Sequence, residues 1–106
     1  MKHLKKFEFV VYLRDIAVGD HVLLYYDYRH NRVSPLTIFL NETIGQIEEI
    51  YADDLTAKIS YENVPKDVET WLYKNKYYTI VLAQIKYHAK TKEEVEAMIA
   101  SEKYNL

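Results

Sequence analysis

Eight consecutive residues, Tyr25-Tyr26-Asp27-Tyr28-Arg29-His30-Asn31-Arg32, combine three phenol rings with two of the chain's three arginines. Rings on an extended strand, followed by guanidinium groups, can stack bases and grip phosphates. The same residue types anchor protein–protein contacts. A second group is acidic: Glu48-Glu49 and Asp53-Asp54 lie in a stretch, 41–70, with eight Asp/Glu against two Lys/Arg. Paired carboxylates do acid–base chemistry where burial or a like charge raises one pKa. Neighbours on a strand point to opposite faces, and those in a turn are usually solvated. This block therefore reads as a solvated hairpin face, or as a surface that meets a basic partner. The candidate partner-binding residues are Tyr25, Tyr26, Tyr28, Arg29, His30, Arg32, Glu48, Glu49, Asp53 and Asp54.

Other chemistries find little in the sequence. His3, His21, His30 and His88 stand at no metal-ligand spacing from one another. The chain has no cysteine, which removes disulfides, thiolate zinc sites, iron–sulfur clusters and cysteine nucleophiles. It has no Gly-rich phosphate loop, Ser-His-Asp arrangement or HExxH motif. No catalytic residue, metal or cofactor is expected, and a binding module is favoured over an enzyme.

The elements that must position these residues follow from hydrophobic period. Phe7, Phe9, Val11 and Leu13 alternate with the rest of 6–14, a strand. Gly19 marks a turn. His21 to Tyr28 reads as a strand apolar on both faces, and therefore central or curved. Arg29–Arg32 is a loop, and Pro35 starts an extended segment whose residues 36–40 read as a short strand or strand-like loop. Thr43–Tyr51 is a strand with a bulge near Gly45, although Ile44, Ile47 and Ile50 also suit a helix. A turn at Ala52-Asp53-Asp54 leads to the clean alternation of Leu55, Ala57, Ile59 and Tyr61. A helix over 65–74 buries Val68, Trp71 and Leu72, with Trp71 as a core anchor. Residues 77–88 form the last strand, and Thr91 and Glu94 form a capping box for a helix carrying Val95, Met98 and Ile99.

Within that frame, Ala17-Val18-Gly19-Asp20-His21-Val22-Leu23-Leu24 resembles the opening strand of SH3-like barrels, KOW-type domains included. Ile44-Gly45-Gln46-Ile47-Glu48-Glu49-Ile50, the Asp53-Asp54 turn and Ala57-Lys58-Ile59-Ser60-Tyr61 resemble their central hairpin. The resemblance covers about residues 17–62. It implies a surface that binds a protein, a peptide or a nucleic acid, and no catalytic residues. The long 29–43 segment and the helix at 65–74 depart from it. The expected fold is mainly β (α+β), a single domain over 1–106. A small antiparallel SH3-like or OB-like barrel of about five strands spans 6–88, with one helix before the last strand and a C-terminal helix at 91–102.

Composition narrows the partner. Eleven tyrosines in 106 residues suit half-buried strands and recognition surfaces alike. A net charge of −2 is not that of a dedicated polyanion binder. Met1–Val11 lacks a signal peptide's apolar run, and no stretch suits a membrane span. With the missing cysteines, this points to the cytoplasm. The expected function is a non-catalytic protein-interaction module, an adaptor or inhibitor of the kind phages and mobile elements encode. The alternative is weak RNA or single-strand binding through Tyr26, Tyr28, Arg29 and Arg32. An edge strand or the lightly apolar last helix offers a route to a homodimer.

Overall fold

The computed structural model of the chain describes residues 15–26 and 34–104; the strand expected over 6–14 lies outside them. In order, the elements are β1 (His21–Leu24), α1 (Pro35–Glu42), β2 (Gly45–Tyr51), β3 (Thr56–Ser60), α2 (Lys66–Glu69), β4 (Tyr77–Val81), a 3-10 turn (Leu82–Gln84), β5 (Ile85–Ala89) and α3 (Lys92–Tyr104). The strands form one antiparallel sheet in the order β4-β3-β2-β1-β5. The chain is thus a compact α+β domain. Among the described residues no helix is long and apolar enough to cross a membrane.

Alternation sets the two faces of the sheet. Ile47 pairs with Ile59, Ile59 with Tyr78, and Ala57 with both Ile50 and Ile80. These residues share one face with Val22 and Leu24, and Phe39 and Leu40 of α1 close over it with Val68 and Leu72. Phe39 meets Tyr61 edge-on, with ring centroids 5.1 Å apart, a geometry that contributes about 1 kcal/mol beyond burial. The opposite face of β1 and β5 is covered by α3, where Leu23 and Val95 are buried outside the main cluster. β1 is therefore apolar on both sides because it lies inside the sheet, between β2 and β5, under a helix on each face.

Two glycines answer specific demands. Gly19 has φ 95°, and its N–H donates to the Ile47 carbonyl at 2.8 Å. At Gly45 a Cβ would press on Ile59 and come within 2.8 Å of the Tyr61 ring. The bulge expected near Gly45 falls instead between Ile47 and Glu49, where the β2–β3 register shifts.

Three expectations are overturned. Residues 36–40 are helical, within α1. The Ser34 hydroxyl accepts the Thr37 N–H at 3.2 Å, Thr37 Oγ1 accepts the Ser34 N–H at 3.0 Å, and Pro35 occupies the first turn, where its missing donor costs nothing. The strand expected over 77–88 is two strands. The Gln84 side chain accepts the Val81 N–H at 3.2 Å and Leu82 donates to the Leu55 carbonyl at 2.8 Å, turning the chain off β4 toward β5. The helix over 65–74 is the four-residue α2, and Trp71 is 66% exposed rather than a core anchor. Once the helix stops at Glu69, its i, i+3, i+4 stripe no longer applies, and Leu72 takes the buried place beside Val68.

Candidate functional site

The structure separates the residues singled out in the sequence. Tyr25 lies just past β1, half exposed, with its N–H on the Gln84 carbonyl at 2.7 Å. Tyr26 packs partly against the core. Its backbone N–H and C=O are both bonded to the Asn41 side chain, at 2.7 and 3.1 Å. Tyr28, Arg29, His30 and Arg32 lie outside the described residues. Glu48 and Glu49 sit exposed at the β2 bulge, and Glu49 pairs with Lys58 at 3.7 Å. Asp53 and Asp54 are exposed in the turn between β2 and β3. That turn and Tyr25 bond to opposite ends of the same 3-10 turn, through Leu55–Leu82 and Tyr25–Gln84. The carboxylates of Glu48, Glu49, Asp53 and Asp54 thus stand in solvent, as the hairpin reading expected.

The densest set of exposed chemistry lies at the other end of β3. After α2 the backbone makes a turn in which Trp71 N–H donates to Val68 O at 2.9 Å and Leu72 N–H to Glu69 O at 3.1 Å. With Leu72 anchored in the core, its neighbours Trp71 and Tyr73 are turned out, each 66% exposed. Tyr73 and Tyr77 then exchange both backbone hydrogen bonds, at 2.8 and 2.9 Å, closing a tight hairpin. Lys74 and Asn75, at φ 53° and 64°, supply its left-handed corner. Lys76 O accepts the Tyr61 N–H at 2.9 Å and ties the hairpin to the end of β3.

Three ammonium groups border these rings. Lys58 Nζ lies 4.4 Å from the Tyr77 ring centroid and 6.0 Å from that of Tyr73. Lys76 Nζ is 5.0 Å from Tyr77, and Lys74 Nζ is 5.5 Å from Tyr73. Each such contact contributes about 0.5–1 kcal/mol at an exposed site. A ring attracts a cation without cancelling its charge, so Lys74 and Lys76 still present full positive charge to a ligand. Lys58 is partly offset by Glu49. The acidic turn lies beyond the far end of β3, while Glu49 faces Lys58 and Glu62 and Glu69 flank the hairpin in sequence. The positive charge of the patch thus rests chiefly on Lys74 and Lys76. The patch is rigid, doubly aromatic at its exposed edge and cationic along one side. The arrangement can hold an anionic partner with flat or apolar groups.

A helical reading of 65–74 hides this candidate patch, because it puts Trp71 on the buried stripe. The signal was present in Trp71-Leu72-Tyr73-Lys74-Asn75-Lys76-Tyr77, three aromatic residues interleaved with two lysines.

Two other features are structural or less defined. Asp20, 1% exposed, accepts from Lys90 Nζ at 2.8 Å and from the Ala17 N–H at 3.1 Å, with His88 Nδ1 at 3.5 Å. Burial pushes its pKa up. The Lys90 and Ala17 hydrogen bonds and the charges of Lys90 and His88 outweigh that and hold it below the ordinary 3.8. This cluster staples the turn before β1 to the chain just after β5. A cleft of about 570 Å³ lies between α1, the sheet and the start of α3, bordered by His21, Glu42, Gln46, Glu62, Lys92 and Glu96. Among the described residues no group of three His, Asp or Glu is placed to hold a metal ion. Comparison with protein-family models, with curated proteins and with solved structures finds no match for this chain.

Proposed function

We propose that this chain is a non-catalytic binding module that holds an anionic partner against the face made by β3, β4 and the 71–77 hairpin. The carrying observation is the pair Trp71 and Tyr73, each two-thirds exposed on a backbone fixed by Leu72 and the Tyr73–Tyr77 bonds, with Lys58 and Lys74 by the Tyr73 ring and Lys58 and Lys76 by that of Tyr77. Large exposed rings cost stability and solubility in a free domain. Trp and Tyr are the side chains that repay such exposure when a partner covers them.

The scaffold reading is an SH3-like barrel. β4 and β5 stand at opposite ends of the strand order, yet a three-residue 3-10 turn joins them. In a flat sheet they would be four strand spacings apart, about 19 Å. A 3-10 turn of that length advances only about 6–8 Å, which supports a sheet coiled so that its edges approach. In such a barrel the hairpin is an excursion between β3 and β4, free to carry recognition residues without disturbing the core.

Retention of the full chain on immobilised polyanions (heparin, polyglutamate, a thymidine oligonucleotide) tests the reading. At least one should retain the wild type, and Lys74→Glu with Lys76→Glu should abolish retention, while Lys66→Glu on α2 leaves it intact. A wild type that flows through every polyanion contradicts it.

A further inference from the structure

We infer that the anionic partner is a single-stranded nucleic acid, its bases laid on Trp71 and Tyr73 and its phosphates beside Lys58, Lys74 and Lys76. This rests on the binding-module reading above and names the ligand class of the same face. Two observations favour a nucleic acid over an acidic protein segment.

The first is the set of rings. Trp71 and Tyr73 are two residues apart and both turned out, and Tyr73 lies directly across the bridge from Tyr77. A short row of exposed rings on rigid backbone is the stacking platform that unpaired bases use, and every base has a face to offer it. The second observation is the order of the groups. Lys58, Lys74 and Lys76 lie within 6.0 Å of the Tyr73 or Tyr77 ring centroids. A strand stacked on the rings thus brings its phosphates past the ammonium groups. A duplex hides its base faces, so it offers the rings nothing.

Trp71 is the chain's one tryptophan, so intrinsic fluorescence reports on this residue alone. The experiment titrates the full chain with a thymidine oligonucleotide of about 10 nucleotides, within the span such sites cover. A duplex of equal length and polyglutamate are the comparison probes. The oligonucleotide should quench the Trp71 emission, and polyglutamate and the duplex should not. Three phosphates neutralised on a single strand give a slope near −2 in log K against log salt, so raising salt from about 50 to about 200 mM should weaken binding about 20-fold. Followed by anisotropy of a labelled oligonucleotide, Trp71→Ala should lose between about fivefold and about 150-fold in affinity. Circular dichroism should match the wild type, because the ring it removes is exposed. Lys74→Gln with Lys76→Gln should flatten the salt slope while leaving the residual quenching. Polyglutamate or duplex binding as tightly as the single strand, or an oligonucleotide that binds without quenching, overturns the nucleic-acid inference and leaves the module standing. A wild type that binds no polyanion at low salt overturns both.

Discussion

The chain uses the same residue type in two opposite ways. Around Tyr61 the rings are inward. Tyr61 is 3% exposed against Phe39, and Tyr78 packs beside it on the core face. Burial drives the Tyr61 phenol well above its ordinary pKa, and burial with a hydrogen bond to Tyr26 pushes Tyr78 up to about 12. At the 71–77 hairpin, a few residues along the same strands, Trp71 and Tyr73 are outward and lysines lie over the rings of Tyr73 and Tyr77. Charges divide in the same way. Near β5, Asp20 meets Lys90 and His88, while Glu102 accepts from Lys86 and Tyr87. At the hairpin Lys74 and Lys76 lie by the Tyr73 and Tyr77 rings, and Lys58 is shared between those rings and Glu49. Groups that satisfy one another hold the fold, and groups left facing water are available to a partner. Tyrosine content alone cannot distinguish these roles. Whether the backbone turns the residue toward the core or out of it decides it.

Three substitutions sharpen the contrast. Tyr61→Ala should cost about 3–5 kcal/mol, the usual range for deleting a buried ring, read as a large fall in the denaturant midpoint. A loss below about 1 kcal/mol would place the core elsewhere. Asp20→Asn comes next. It removes a charge-assisted bond worth about 1.5–3 kcal/mol, but Lys90, 72% exposed, returns to water, so the net cost should fall at or below the low end of that range. The pH dependence has a definite sign. Folding lowers the Asp20 pKa from 3.8, so its contribution is complete above about pH 4 and is lost as pH falls through the folded value. The wild type should lose stability below about pH 4, and Asp20→Asn should lose less of it over that window. The smallest effect belongs to Trp71→Ala, within about 0.5 kcal/mol of wild type. A large destabilisation there would make Trp71 a packing residue and erase the contrast.

The legible parts of the fold were those with strict period. The alternation read over Leu55, Ala57, Ile59 and Tyr61 matches β3 and its core face from Ala57 on, while Leu55 is 58% exposed in the preceding turn, and the both-sided apolarity of 22–24 matches a strand covered on two sides. Of the capping box and stripe expected for the last helix, the Thr91 hydroxyl accepts the Glu94 N–H at 3.2 Å and Val95 is fully buried, but the Glu94 carboxylate meets the Thr91 hydroxyl rather than its N–H and Met98 is exposed. Elements were missed where local chemistry outweighs period. Ser34-Pro35 is a helix start, although proline's restriction of the residue before it also suits an extended run. Nothing in Leu82-Ala83-Gln84 resembles a breaker, because its turn is made by a glutamine side chain and a contact with Leu55 from another strand. The site failed for the same reason. Trp71 at i+3 from Val68 fits a helical stripe, and only the early stop of α2 at Glu69 puts the ring in water. Of the residues first marked, Tyr25 is exposed and Tyr26 is half-buried at the core's edge.

The most direct measurement is an amide nitrogen–proton NMR map of the full chain titrated with a single-stranded thymidine oligonucleotide. The largest shifts should cluster at Trp71, Tyr73, Lys74, Lys76, Tyr77 and Lys58, with the Trp71 indole N–H among them. Tyr61's neighbours on the core face should move little. Shifts centred instead on Glu48, Glu49, Asp53 and Asp54, or on the cleft beside His21, would contradict the division between an inward set of rings that folds the chain and an outward set that binds.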